Sequence, residues 1–159
     1  MKDIILVSGF LSSGKTTLIK KYIENTKKSY KIIQCEMGIE KLDNSLRVFS
    51  VKELVEEIEN SKENHIYVEF NGTWNISEFI TLIQTRMDSR IFNVYVMDLE
   101  KIHKYMVNFP AMIMEQLNYV DEIVTIRNGN PQEFKYVKQT IAQIRPWISY
   151  REMNKAKLR

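Results

Sequence analysis

The sequence predicts an α/β fold of three layers, in which a mostly parallel sheet is flanked by helices. Apolar segments of strand length alternate with amphipathic segments of helical length, which is typical of repeated β-α units. A loop that contains two glycines follows the first apolar segment and leads directly into a helical segment. With 159 residues, of which 44% are hydrophobic and 27% charged, the chain suits one globular domain with a sizeable core.

Six apolar runs rich in Ile, Val, Phe and Tyr predict the strands of this sheet. They are residues 3–8, 30–35, 46–50, 65–70, 91–97 and 122–126. The segments between them have helical periodicity; in 51–62, for example, Leu54, Val55 and Ile58 form one apolar face. The predicted helices are residues 15–28, 51–62, 76–88, 100–118 and 131–145, and we expect Pro110 to break the fourth of these into two pieces.

The loop after the first strand, residues Gly9 to Thr16, reads GFLSSGKT and completes the pattern GxxxxGK[ST]. Glycines without a Cβ let backbone N–H groups converge on a phosphate, and the helix that follows adds its N-terminal dipole. We expect Lys15 to reach the β- and γ-phosphate oxygens and Thr16 to place its hydroxyl on Mg²⁺. The predicted nucleotide contacts of the loop are Gly9, Ser12, Ser13, Gly14, Lys15, Thr16 and Thr17.

Acidic residues follow two of the predicted strands, at the edge of the sheet where the phosphate loop lies. Glu69 is predicted to hold Mg²⁺ through water or to orient the attacking water, and Gly72 to approach the γ-phosphate closely. Glu36 and Asp43, after the second strand, are candidate magnesium and switch residues. The alternatives are a surface acid and an ordinary turn at residues 69–72, and a solvated loop at 36–43.

The order of these motifs resembles the CobW/HypB/UreG family of P-loop GTPases, most closely its CobW-like branch. The branch is typified by GFLGSGKTTL, and this chain has GFLSSGKTTL. The resemblance implies a three-layer P-loop NTPase fold, a GTP-dependent switch and a protein partner that the switch regulates or loads. Further similar segments are 35–43 (switch), 69–72 (Walker B, ETTG in the family), 96–99 (VVDA), 116–125 (Q, then AD, then a strand) and 144–146 (INP).

The sequence departs from the family at the base-reading motif NKxD. The corresponding residues are 126–129, where Arg127 replaces the lysine and the purine-reading aspartate is missing. Arg127 and Asn128 are the predicted base-side contacts. Asn128 or Asn130 could substitute in part for the aspartate, or the whole string could be an ordinary turn. We therefore expect binding of GTP or ATP, or weak binding of both.

The cysteine cluster CxCC of the CobW-like proteins is also missing, since residues 47–51 hold no Cys or His. Cys35 is the one cysteine, so a multi-thiolate zinc site from one chain is excluded. His65 and His103 are isolated in the sequence. A transition-metal cargo site is therefore not visible.

The resemblance implies a nucleotide-binding domain at residues 1–150 without the family's C-terminal domain, and residues 151–159 are predicted to be a basic, solvated tail. The segment around Trp147 and Tyr150 is predicted to be a docking strip or, alternatively, to pack into the core. The formal net charge of +3 gives no strong reason to expect nucleic acid. No run resembles a signal peptide or membrane span, so we expect a cytoplasmic protein.

Two classes of function remain. The first is a slow, Mg²⁺-dependent NTPase whose switch loops respond to the γ-phosphate and so regulate a partner. The second is a degenerate module that holds a nucleotide without useful turnover. A small-molecule kinase is a weaker third class, because the sequence shows no lid with paired arginines.

Overall fold

The computed structural model describes residues 1–11, 13–35 and 40–159. Within these ranges the chain forms a seven-stranded sheet of the order β3-β2-β4-β1-β5-β6-β7, and all of the strand pairs are parallel. The predicted α/β class with a parallel sheet flanked by helices is confirmed. The strands are β1 (Lys2–Ser8), β2 (Tyr30–Gln34), β3 (Ser45–Arg47), β4 (His65–Glu69), β5 (Ser89–Asp98), β6 (Glu122–Ile126) and β7 (Ser149–Glu152).

The helices connect successive strands, and three of them begin at a residue whose side chain caps the helix. Ser50, Asn75 and Asn130 each accept hydrogen bonds from the first-turn N–H groups of the helix that they precede. The helices are α1 (Lys15–Asn25), α2 (Val51–Asn60), α3 (Ile76–Arg86), α4 (Ile102–Asn108), α5 (Pro110–Leu117) and α6 (Pro131–Ala142), and a 3₁₀ turn follows at Met153–Lys155. Pro110 occupies the first turn of α5, so the predicted break is confirmed.

The sheet is buried on both faces, as β1 at its centre shows. Ile4 and Leu6 pack with α2 and α3 on one face, whereas Ile5 and Val7 pack with α1 on the other. Tyr95 of β5 lies on the first of these faces and packs with residues of α4, α5 and α6. This arrangement leaves the loops at the carboxyl ends of β1, β4, β5 and β6 together at one edge of the sheet.

The end of the chain differs from the predicted solvated tail. Residues 149–152 form β7 beside β6, and Ala156 is buried against the α1 face. The guanidinium of Arg159 donates to Glu122 Oε2 at 3.0 Å and lies 3.6 Å from the centroid of the Phe92 ring. The tail is therefore held by a buried carboxylate and an aromatic face, partners that its own basic composition does not show.

Trp147 is 93% exposed, so the alternative in which it packs into the core is wrong. Ile148 and Tyr150, which follow it in the sequence, are partly buried against the cluster around Tyr95. None of the helices in the described ranges is long and apolar enough to cross a membrane.

Candidate nucleotide-binding site

The loop Gly9–Thr16 connects β1 to α1, and its two glycines have backbone conformations that other residues rarely adopt. Gly9 has φ +141° and Gly14 has φ +99°. A Cβ on Gly9 would lie 2.5 Å from the carbonyl oxygen of Val96 on β5, and one on Gly14 would lie 3.2 Å from Ile126 on β6. Both positions therefore require glycine, and the loop packs tightly against the ends of β5 and β6.

Lys15 opens α1 and is only 2% exposed. Its ammonium donates to the carbonyl oxygens of Gly9, at 2.9 Å, and of Phe10, at 3.4 Å. The positive charge is thus held along the inside of the loop, at the end of the helix where the backbone N–H groups point outwards. No side chain among the described residues caps this helix end.

The hydroxyl of Ser13 is a second polar group directed into a confined space. Ser13 is 3% exposed, and its Oγ has no hydrogen-bond partner among the residues that the structure describes. A buried hydroxyl without a partner is costly, and a phosphate oxygen in the loop would satisfy it. Thr17, another predicted contact, is exposed on the first turn of α1, and Ser12 lies outside the described residues.

Glu69, at the carboxyl end of β4, is 3% exposed and is hydrogen-bonded by both of its oxygens. Thr16 Oγ1 donates to Oε1 at 2.7 Å, and Gln34 Nε2 donates to Oε2 at 2.7 Å. The structure therefore brings together the hydroxyl and the carboxylate that were predicted to serve Mg²⁺. Both are hard oxygen ligands, which magnesium prefers, so this pair fits the ion.

Sequence reasoning missed Gln34, although it is a polar residue in the last position of a buried strand. Gln34 lies beside Glu69 in the pairing of β2 with β4. Its Oε1 accepts from the backbone N–H of Leu42 at 2.9 Å and from Ser45 Oγ at 2.7 Å, which fixes the amide so that Nε2 faces Glu69. Since a buried amide needs several partners, a glutamine at this position could have been recognised as support for the acid.

Gly72, three residues after Glu69, lies against the phosphate loop. A Cβ at this position would be 2.5 Å from the carbonyl oxygen of Gly9 and 3.2 Å from the Cα of Phe10. Gly72 therefore approaches the backbone of the phosphate loop closely. Its role towards the γ-phosphate stays a prediction.

The predicted switch residues are only partly within the described chain. Glu36 lies outside the described residues, and Asp43 is exposed in the turn that precedes β3. Among the contacts of the described residues, none joins Asp43 to Thr16 or Glu69. Glu40 forms an ion pair with Lys20 of α1, so the segment after residue 39 runs beside the phosphate-loop helix.

The loop after β6 shows why the base-reading aspartate is missing. A Cβ on Gly129 would lie 1.9 Å from the carbonyl oxygen of Leu99, so this position accepts no side chain without a shift of backbone. Asn130 uses its side chain to cap α6, accepting from the N–H groups of Gln132 and Glu133. Asn128 is exposed. The role of Asn130 as a helix cap agrees with the alternative that these residues form an ordinary turn.

Arg127 has φ +62°, which is unusual for a residue with a side chain. Its guanidinium donates to Glu100 Oε2 at 3.2 Å and its Nε lies 3.5 Å from Asp98 Oδ2. The hydrogen bond to Glu100 and then the charge of Asp98 raise the pKa of Arg127. Arg127 is thus held over the carboxyl end of β5, beside the phosphate loop.

Asp98, the last residue of β5, is the acidic residue that sequence reasoning left without a role. It is 3% exposed, and its Oδ1 accepts from the N–H of Glu100 at 3.0 Å. Its Oδ2 has no hydrogen-bond partner among the described residues, although Arg127 and Lys101 lie within 4 Å. The rule that a carboxylate at a buried strand end needs a cation could have identified it, as it identified Glu69.

His65 and His103 do not lie together with a cysteine. His65 lies at the amino end of β4, at the opposite edge of the sheet from the phosphate loop, where its Nδ1 is 3.1 Å from Asp3. His103 on α4 is 3.6 Å from Glu133. Within the part of the chain that the structure describes, no three His, Cys, Asp or Glu residues form a group able to hold a metal ion.

The parallel sheet, the glycine-rich loop and the Thr16–Glu69 contact define a P-loop nucleotide-binding domain. The family model described as CobW/HypB/UreG, nucleotide-binding domain, matches residues 3–62. The resemblance read from the motifs is therefore confirmed. No match was found among curated proteins.

Similar solved structures support the same fold. A Zn(II)-bound triple mutant of the YjiA GTPase has a TM-score of 0.68 at 17% identity, with 99% of this chain and 59% of that chain covered. The hydrogenase maturation factor HypB from Archaeoglobus fulgidus has a TM-score of 0.62 at 16% identity, covering 95% and 79%. HypB from Helicobacter pylori in complex with nickel has a TM-score of 0.57 at 9% identity, with 96% of this chain and 79% of that chain covered. This chain thus spans about three fifths of the YjiA chain.

Proposed function

We propose that this protein binds a purine nucleoside triphosphate with Mg²⁺, hydrolyses it slowly, and uses the bound state to regulate or load a partner protein. The observation that carries the proposal is the contact between Thr16 and Glu69, at 2.7 Å, beneath the glycine-rich loop. This contact joins a phosphate-loop hydroxyl to a buried strand-end carboxylate, the pair that P-loop NTPases use at the magnesium ion.

Each residue has a distinct part in this proposal. Lys15 offers its charge to the β- and γ-phosphate oxygens, and the N–H groups of Gly14 and the first turn of α1 bind the same anion. Glu69 orients the attacking water, and Gln34 holds the carboxylate in place. Thr16 and Glu69 would hold Mg²⁺, which supplies positive charge against the phosphate oxygens when bound.

The base preference is proposed to be weak. YjiA is described as a GTPase, which favours GTP for this chain as well. However, Gly129 stands where the base-reading carboxylate would be, and the backbone of Leu99 leaves no space for a side chain. Without a carboxylate to accept from guanine N1 and N2, the discrimination of GTP against ATP is small.

Binding of GTP and ATP, each measured with and without Mg²⁺ by isothermal titration calorimetry, tests the proposal, followed by a phosphate-release assay with the nucleotide that binds. We expect micromolar or tighter binding that strengthens with Mg²⁺, and slow turnover. Lys15→Ala serves as the negative control. Binding without any turnover would favour the degenerate nucleotide-holding module, and the absence of binding would overturn both.

A further inference from the structure

Gln116 is a buried polar residue of α5 that the proposed chemistry does not use. It is 1% exposed, and its Nε2 donates to the carbonyl oxygen of Gly72 at 2.8 Å. The two residues are 44 positions apart, so the bond joins α5 to the loop that follows β4. The acceptor fixes the orientation of the amide, because the opposite orientation would place two oxygens together.

The other side of Gly72 is the phosphate loop. Because a Cβ at position 72 would lie 2.5 Å from the carbonyl oxygen of Gly9, Gly72 already touches that loop. Gly72 therefore lies between the amide of Gln116 and the backbone of Gly9 and Phe10. The position of Gly72 relative to the phosphate loop therefore depends on the hydrogen bond from Gln116.

Helix α5, which carries Gln116, and the preceding helix α4 are attached to the same region. Glu115 Oε1 accepts from the N–H of Ser77 at the start of α3, at 3.1 Å. The ring of Phe10 in the phosphate loop packs on Tyr105 of α4, with centroids 4.1 Å apart, and on Phe109, with centroids 5.6 Å apart. Helices α4 and α5 thus contact both the phosphate loop and the loop that carries Gly72.

We propose that Gln116 is a positioning residue for γ-phosphate sensing, which acts by holding Gly72 against the phosphate loop. This inference rests on the proposed function. Gln116 Oε1 is buried without a hydrogen-bond partner among the described residues, which costs desolvation free energy. The hydrogen bond that Nε2 donates offsets this cost. An apolar side chain would avoid that cost but would remove this hydrogen bond to the carbonyl of Gly72.

The test uses Gln116→Met, which keeps the length of the side chain and removes the donor. The dissociation constants of GTPγS and GDP, or of the matching adenine nucleotides, are measured for the wild type and the variant. We expect the preference for triphosphate over diphosphate to fall about tenfold, the effect of one buried hydrogen bond, with the diphosphate constant almost unchanged. Ile113→Val, in the buried face of the same helix, controls for general loosening and keeps the preference.

Amide exchange of residues 72–74 without nucleotide supplies a second measurement. We expect faster exchange in Gln116→Met than in wild type or Ile113→Val, because the loop has lost its support. Faster exchange with an unchanged triphosphate preference would show that Gln116 is only structural and overturn the inference. An equal weakening of both nucleotides would overturn it as well. A wild type that binds triphosphate and diphosphate equally would instead be a failure of the proposed function.

Discussion

Thr16 and Glu69 are 53 residues apart in sequence, yet the hydroxyl of Thr16 donates a hydrogen bond of 2.7 Å to the carboxylate of Glu69. The bond joins the first turn of α1 to the end of β4, two elements positioned by the central strand β1. A buried carboxylate held by a hydroxyl and an amide is ready to exchange the hydroxyl bond for a metal ion. The hydroxyl and the carboxylate are thus already in place before any ion binds.

Replacement of Lys15 by alanine removes the buried ammonium of the phosphate loop. We expect triphosphate binding to weaken by about 3 kcal/mol, the scale of a hydrogen bond to a charged group in a desolvated site. Calorimetric titration measures the loss, and circular dichroism checks that the protein stays folded. Lys135→Ala, an exposed change on α6, is the matched control and keeps wild-type affinity. Unchanged affinity in folded Lys15→Ala would refute the assignment of the loop.

Glu69→Gln keeps the shape of the side chain and removes its charge. The amide oxygen still accepts from Gln34, and the hydroxyl of Thr16 rotates to accept from the new NH₂ group, so the fold persists. We expect turnover to fall at least about a hundredfold while the dissociation constant changes by less than tenfold. Single-turnover kinetics beside equilibrium binding separates the two effects. A variant that hydrolyses nucleotide at the wild-type rate would remove Glu69 from the reaction.

The loop at residues 126–130 predicts poor discrimination between guanine and adenine. A site with buried base-specific hydrogen bonds rejects the wrong base by roughly 10⁴-fold, and we expect a far smaller ratio here because no side chain at position 129 reads the base. Competition of ATP against a fluorescent GTP analogue gives the ratio. A preference for GTP near 10⁴-fold would mean that another carboxylate, such as Glu100, reads the base.

The switch interpretation predicts a response to the γ-phosphate. Hydrogen exchange of residues 36–45 and 70–76 should slow with a non-hydrolysable triphosphate and Mg²⁺, and not with the diphosphate. Residues 89–92 at the amino end of β5 serve as an internal reference, since they pair with the amino end of β1, at the edge of the sheet opposite the phosphate loop. Equal protection by both nucleotides, together with no measurable turnover, would leave the nucleotide-holding module as the better description.

The stability of the protein should decrease on acidification because of His65. Burial, and next the charge of Lys28, lower the pKa of His65 from 6.5, although the hydrogen bond with Asp3 opposes the shift. The unfolded chain therefore binds this proton more tightly, and the free energy of unfolding falls as the pH drops below 6.5 towards the folded-state pKa. Urea denaturation between about pH 5 and 8, the range in which histidine titrates, measures the slope. His65→Gln should flatten it, and an unaltered slope in that variant would contradict the argument.

Asp3 causes a second decrease in the free energy of unfolding, at lower pH. Burial raises the pKa of its carboxyl, but hydrogen bonds from Arg90 and His65 outweigh burial and bring the pKa below 3.8. The ionised Asp3 stabilises the fold fully above pH 3.8, and this stabilisation is lost as the pH falls through the folded-state pKa. Arg90→Gln should shrink this acid-side loss in denaturation experiments below pH 4, whereas an equal loss in wild type and variant would exclude the pair as its source.

The elements that sequence reasoning found are those in which local pattern and tertiary environment agree. Buried strands such as β4 read as continuous apolar runs, and the helix ends at Ser50, Asn75 and Asn130 carry their own caps. The strand β7 was missed because its sequence, SYRE, is short and polar and gains its place only by pairing with β6. The helical segments end one to three residues before the predicted limits, where no local signal marks the boundary.

Within the site, the residues that belong to sequence motifs were predicted, whereas the residues that hold those motif residues in place were not. The phosphate loop follows a known spacing and Glu69 is an acid at a strand end, and each of these patterns predicts a role directly. The supporting roles of Gln34 and Gln116 were not predicted, because the partners that define those roles lie 35 and 44 residues away in the sequence. Asp98 could have been found from its place at a strand end, but its cation Arg127 comes from the loop after β6.

The close packing of Gly129 against Leu99 limits how this protein can change. A carboxylate at position 129 would require the backbone of residues 99 and 100 to move first, because the first side-chain atom would already overlap the carbonyl oxygen of Leu99. A single substitution at this position therefore destabilises the loop before it can contribute to base recognition. Under the proposed function, a carboxylate engineered at position 129 to select guanine would therefore need a compensating change in the loop after β5, on the far side of this contact.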